Sequence, residues 1–190
     1  MIASLHNRFA RAIGTLDRIA GLPRLRRRYR YYFGVDPDLV APKGFSEKIQ
    51  WRKLYDRNPL FPVFSDKYLC RGYVQTALGD ADASELLVPL LGHCTDPADL
   101  PWDKMSGGAV IKATHGCGWN IFVEPQQMMD RERISRLCRK FLALEYGQDR
   151  HEWAYRDPQP SLVAEPYLKR RDGDTVWDAK TYVMGGQVRI

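Results

Sequence analysis

The sequence predicts a mixed α/β layer fold. Helical stripes of apolar residues interleave with short apolar runs of strand length. Glycine pairs punctuate the strand-length runs, as hairpin turns require. The chain is 190 residues long and 44% hydrophobic, enough to build a core and too apolar for wholesale disorder.

The first element is a helix. Ile2, Leu5, Phe9, Ile13, Leu16 and Ile19 recur at three- and four-residue steps and form one apolar stripe, with Asn7, Arg8, Arg11, Thr15 and Arg18 lying off it. Gly21 and Pro23 stop it, and the basic run Arg24–Arg30 follows. Ser46 can cap a helix reaching about Arg57, ended by Asn58-Pro59. Ser65 or Asp66 can cap another, carrying Leu69, Tyr73, Ala77 and Leu78 and closed by Gly79. Leu86–Leu91 is a strand candidate. Ala109–Thr114 is another, and its glycine loop leads into a return strand over Asn120–Val123. Asp130–Tyr146 has the clearest helical stripe of the body: Ile134, Leu137, Cys138, Phe141 and Leu142, ended by Gly147. Ser161–Leu168 reads as a strand. Thr175–Met184 alternates, with Asp178 and Lys180 on one face, and Gly185-Gly186 turns it into Gln187–Ile190.

Charge divides the chain into an arm, residues 1–30, and a body, residues 31–190. The net charge is +6, but the arm holds eight arginines and one acid, Asp17, for +7. The body has 21 basic and 22 acidic side chains, for −1. A nucleic-acid-coating body is disfavoured, because phosphate binding needs a clustered positive field. Two readings of the arm stand open. It can lie on an anionic membrane face as a basic amphipathic segment. It can also dock on its own domain with its arginines solvated. An Arg-rich, acid-poor transit peptide is a weaker third reading. No continuous apolar run suits a signal peptide or a membrane-spanning helix.

Cys70, Cys94, Cys117 and Cys138 are scattered, without C-x-x-C spacing, and read as reduced thiols of a cytosolic protein. His6, His93, His115 and His151 show no metal-ligand spacing, and core or surface histidine suits three of them.

Three features carry candidate chemistry. Lys112 lies near the end of a strand, just before His115-Gly116-Cys117-Gly118-Trp119. Glycines let backbone N–H groups approach phosphates, and a nearby lysine neutralises them. The spacing is neither a Walker A loop nor a Rossmann fingerprint, and taken alone it is an ordinary β-hairpin. Lys67 sits near a helix start, where it opposes the helix dipole and so serves no helix-stabilising end. Leu162–Leu168 ends an apolar strand in Glu165-Pro166-Tyr167. An unpaired strand edge there can hydrogen-bond a base.

In combination these features resemble the ATP-grasp superfamily, through SDKYLCRGYV (65–74), AVIKATHGCGWNIFV (109–123) and LVAEPYLKRRDGDTVWDAKTYVMGGQVRI (162–190). The stretch RYYFGVDPDLVAPKGFSEKIQWRKLYDRNPLF (30–61) narrows the resemblance to the TupA-like ATP-grasp family, over about residues 29–190. The resemblance implies ATP as cofactor, with Lys67 and Lys112 on its phosphates and His115, Gly116, Cys117 and Gly118 as a mobile lid. Glu165, Pro166, Tyr167 and Leu168 would be the hinge that reads adenine. Asp178 and Lys180 would sit near ribose, phosphates or acceptor. It further implies carboxylate activation as an acyl phosphate, followed by ligation, in the biosynthesis of capsule or other surface polysaccharide or polymer.

Superfamily members hold Mg²⁺ with acidic and amide side chains on later strands. Those ligands are therefore expected beyond residue 190, and the chain is expected to be an incomplete domain. Two alternatives are a glycosyltransferase-like enzyme using a nucleotide sugar and a non-catalytic membrane-peripheral adaptor. Against the first, Asp36-Pro37-Asp38, Asp80-Ala81-Asp82 and Asp172-Gly173-Asp174 sit in turn-like or acidic loop contexts unlike a D-x-D metal motif.

Overall fold

Glycines, prolines and capping carboxylates set the boundaries of the elements in the computed structural model, which describes residues 2–125, 129–169 and 179–189. α1 (Ile2–Ile19) breaks at Gly21-Leu22, where both residues take positive φ. The run Arg24–Arg30 is helical, inside α2 (Pro23–Phe33), with Pro23 in its first turn and Gly34 in the left-handed region at its end. α3 (Phe45–Tyr55) is capped at Gly44, two residues before the expected cap at Ser46. The Glu47 carboxylate accepts from the backbone N–H groups of Asp38, Lys43 and Gly44 and so organises the turn that Ser46 was expected to cap.

α4 (Leu60–Ser65) leads to Asp66. This 2%-exposed carboxylate accepts from Tyr68 and Leu69 N–H at 2.8 and 2.9 Å and starts α5 (Leu69–Leu78). The expected strand over Leu86–Leu91 is absent. α6 (Asp80–Leu86) ends on Leu86, and Pro89 in the following extended segment has no N–H to give a ladder. The strand begins later, as β1 (Gly92–Cys94).

β2 (Ala109–Ala113) and β3 (Asn120–Val123) form the expected hairpin, and β4 (Leu162–Pro166) pairs with β2 on the other side. The sheet order is β1-β4-β2-β3, antiparallel throughout. α7 (Arg131–Ala143) starts with the Asp130 carboxylate accepting from Arg133 N–H at 2.9 Å. It stops at Ala143, short of the expected Tyr146. β5 (Tyr182–Met184) and β6 (Gln187–Arg189) make a separate hairpin around Gly185-Gly186.

The two faces of the larger sheet differ. Ala109, Ile111, Ala113, Val123, Leu162 and Ala164 point to one side and are buried against Ile134 and Cys138 of α7, with Leu100 and Met105. The opposite side carries Lys112 and Glu165, and α5 lies over it. A smaller cluster of Leu22, Leu25, Leu39 and Leu54 ties the N-terminal helices to α3.

Candidate functional site

Register places the expected hinge and phosphate residues together. Lys112 pairs with Val163 and Val110 with Glu165, so Lys112 and Glu165 lie two positions apart on adjacent strands and on the same face. Their side chains form a direct ion pair. Glu165 is 8% exposed, and its other oxygen faces the Arg71 guanidinium at 3.6 Å. Arg71 is not singled out by the sequence. It lies inside α5, whereas Lys67 precedes that helix, so no sequence spacing ties the two together. Arg71 also donates to the Val88 carbonyl, which fixes the guanidinium between α5 and the segment before β1.

Lys67 is engaged differently. Its ammonium donates to the Ala113 carbonyl at 2.8 Å and to the Gly116 carbonyl, and its backbone N–H donates to Thr114 O at 3.1 Å. Burial lowers its pKa below that of an ordinary lysine. Lys67 therefore buttresses the β2–β3 loop.

The loop is anchored more than the lid expectation requires. His115 is 2% exposed, and its Nε2 lies 3.2 Å from the Leu144 carbonyl. A carbonyl only accepts, so Nε2 carries the proton and Nδ1 is left as a buried acceptor with no partner. Burial pushes the imidazole pKa down. Thr114 is tied to Ser161 through backbone N–H at 2.9 Å and hydroxyl contact at 3.0 Å. A Cβ on Gly116 would lie 2.5 Å from the Trp119 ring, so only glycine fits there. Exposure begins at the tip, Cys117 and Gly118, where Gly118 has φ +77°.

β4 is interior to the sheet, which corrects the expectation of an open edge along the strand. Its pairing with β1 covers only Leu162–Ala164, however, and from Glu165 onward the β1 side has no ladder partner among the described residues. Tyr167 N–H donates to the Gly108 carbonyl at 3.1 Å, and its ring meets Phe122 edge-on. Pro166 and Tyr167 are half-buried and Leu168 is exposed. Lys180 is exposed just ahead of β5, and Asp178 lies outside the described residues.

Beyond the loop tip lies a cavity of about 410 Å³, lined by Phe61, Phe64, Cys117, Tyr146, Trp153 and Tyr155, with Arg52, Lys53 and Glu152 at its rim. Burial pushes the Tyr146 hydroxyl pKa up to about 12, so it stays protonated. The sequence does not show this cavity, because its aromatic residues come from α4 and the turns after α7, with Cys117 added by the loop tip.

The residues present suit a polyphosphate. Lys67, Arg71 and Lys112 converge with Asp66 and Glu165, a cationic surplus beside the open hinge. Among the described residues, no three His, Cys, Asp or Glu side chains converge to hold a metal ion. No curated protein and no solved structure matches the chain. The family model described as TupA-like ATPgrasp matches residues 47–190, more than half the length: the chain belongs to the TupA-like ATP-grasp family, whose membership implies ATP binding.

Proposed function

We propose that the chain binds ATP between β2, β4 and α5 and activates a carboxylate for ligation in the biosynthesis of a cell-surface polysaccharide or related polymer. The observation that carries the ATP part is the Lys112–Glu165–Arg71 cluster at the start of the open hinge. The polymer class rests on the family resemblance. When bound, ATP would supply the phosphoryl group that activates the carboxylate toward an amine acceptor.

The chain's own residues prepare this by position and charge. Lys112 is paired with Glu165 and would turn to a bound polyphosphate, which carries several negative charges against one. Arg71 keeps Glu165 from being left as a buried unpaired carboxylate when Lys112 moves, a state that costs several kcal/mol. Lys67 holds the loop through its carbonyls, which leaves loop N–H groups free to face phosphate. Backbone groups from Glu165 to Leu168 take the adenine edge. The aromatic cavity beyond Cys117 is the space for the acceptor.

The reading places the protein in the cytoplasm, where ATP is available, with its basic N-terminal helices at the inner membrane face.

Thermal unfolding with nucleotide tests it. ATP or ADP should raise Tm, by roughly the equivalent of 2.7 kcal/mol at a hundredfold excess over Kd. Lys112→Ala should abolish the rise while leaving a cooperative transition, and Glu165→Gln should weaken it. A rise with a nucleotide sugar and none with ATP would overturn the ATP assignment in favour of a transferase.

A further inference from the structure

The polarity of α1 is reversed relative to an ordinary surface helix. Its docked seam is Ala3, Asn7, Ala10, Gly14 and Asp17, small or polar residues at alternating four- and three-residue steps. Asn7 donates to the Ala143 carbonyl at 2.9 Å and accepts from Glu145 N–H at 3.0 Å. Arg11 pairs with Glu145. Gly14 lies against Gln148, and Asp17, 3% exposed, takes His151 at 2.9 Å and the Arg24 N–H at 2.6 Å. Most of the apolar stripe faces outward instead: Leu5, Phe9, Leu16 and Ile19 are 65, 69, 65 and 77% exposed, while Ile13 is half-buried. A helix in a soluble domain turns such a stripe to the core.

Charge indicates what the stripe meets. Where α1 docks, Arg11 and Asp17 are paired. Arg8, beside the stripe, and Arg24, Arg27 and Arg28 of α2 have no acidic partner within ion-pair distance among the described residues. Arg24, Arg27 and Arg28 share a surface pocket with Tyr31 and Tyr32. Guanidinium forks match phosphate, and tyrosine favours the headgroup level of a bilayer. No helix among the described residues is long and apolar enough to cross a membrane.

We propose that α1 and α2 form an in-plane anchor on an anionic lipid bilayer. Leu5, Phe9, Leu16 and Ile19 enter the acyl boundary, and Arg8, Arg24, Arg27 and Arg28 bind lipid phosphates. This deepens the inner-face placement proposed above and rests on it. It gives the reversed seam a purpose: the polar face is spent on the protein so that the apolar face stays free for lipid.

Vesicle co-sedimentation of the full chain tests it, with phosphatidylcholine alone and mixed with phosphatidylglycerol. The protein should pellet with anionic vesicles, and Arg24→Gln, Arg27→Gln and Arg28→Gln together should weaken binding on the order of a hundredfold. Phe9→Gln with Leu16→Gln should weaken it at least tenfold or so at any salt, and tryptophan emission of Phe9→Trp should shift to the blue on anionic vesicles only. These positions are exposed, so far-ultraviolet circular dichroism should not change. Equal pelleting with neutral vesicles, binding indifferent to Phe9 and Leu16, or a dimer that Leu16→Gln dissolves would overturn the anchor, the last assigning the stripe to a second copy. The ATP-dependent rise in Tm, read on the same variants, separates this failure from failure of the nucleotide site.

Discussion

His115 illustrates how one buried side chain ties the site to pH. With Nε2–H donated to Leu144 and Nδ1 without a partner, the folded protein holds the ring neutral and its pKa is lowered by burial. The unfolded chain protonates it near 6.5, so the stability this neutral ring contributes is complete above that value. It is lost as pH falls from there toward the lowered folded pKa. Denaturant unfolding should show stability declining as pH falls below about 6.5, with a slope of at most ~1.4 kcal/mol per pH unit from this group. His115→Gln should flatten that part of the curve, and parallel curves for the two proteins would refute the assignment. Lys112 and Glu165 were readable as candidate site residues because a charged residue near the end of an apolar strand is conspicuous. Arg71 was not, because on an exposed-looking helix turn it resembles any solvated arginine until the sheet beneath it supplies Glu165. The buttressing role of Lys67 was also hidden, since the carbonyls it holds belong to a loop 46 and 49 residues away.

At the scale of the element, α1 shows what periodicity can and cannot establish. The apolar repeat predicts the helix correctly over Ile2–Ile19. It does not say which face docks, since that depends on Gln148, His151 and Glu145 being brought alongside by the rest of the chain. Gly14 is the closest point of that contact: a Cβ there would sit 2.3 Å from the Gln148 carbonyl oxygen. Backbone cannot yield as a side-chain tip can, so Gly14→Ala should loosen α1 and cost about 1–3 kcal/mol. Hydrogen exchange should localise the loss to α1 and residues 145–151. Protection unchanged there would count against the seam. The missing strand at Leu86–Leu91 has the opposite lesson. Its apolar run was real, but Pro89 and the acidic start of α6 outweighed it.

For the whole molecule, the fold class and the order of hairpin and hinge follow from the sequence, whereas the sheet order does not. β4 joins β2 across an intervening helix, and only that pairing sets Lys112 beside Glu165. The thiols report on the assembled site. Cys94 and Cys138 are buried and raised to about 11 and about 12, and Cys70 is half-buried, which leaves Cys117 at the loop tip as the exposed thiol. Alkylation should mark Cys117 first, and saturating ATP should slow it several-fold, with mass mapping to confirm the position. No protection by ATP would place the nucleotide away from this loop. The docking of α1 also has a consequence in time. Arg11 meets Glu145, 134 residues later, so during synthesis at roughly 5–20 residues per second the first helix waits on the order of ten seconds for its dock. Throughout that interval both faces of α1 are bare, and a nearby bilayer can capture the apolar face before the polar one has a partner. On that order of events the lipid surface receives the helix first and the domain then folds onto its free side. Protease digestion of ribosome-bound chains halted before and after residue 151, with and without vesicles, reads the sequence of steps.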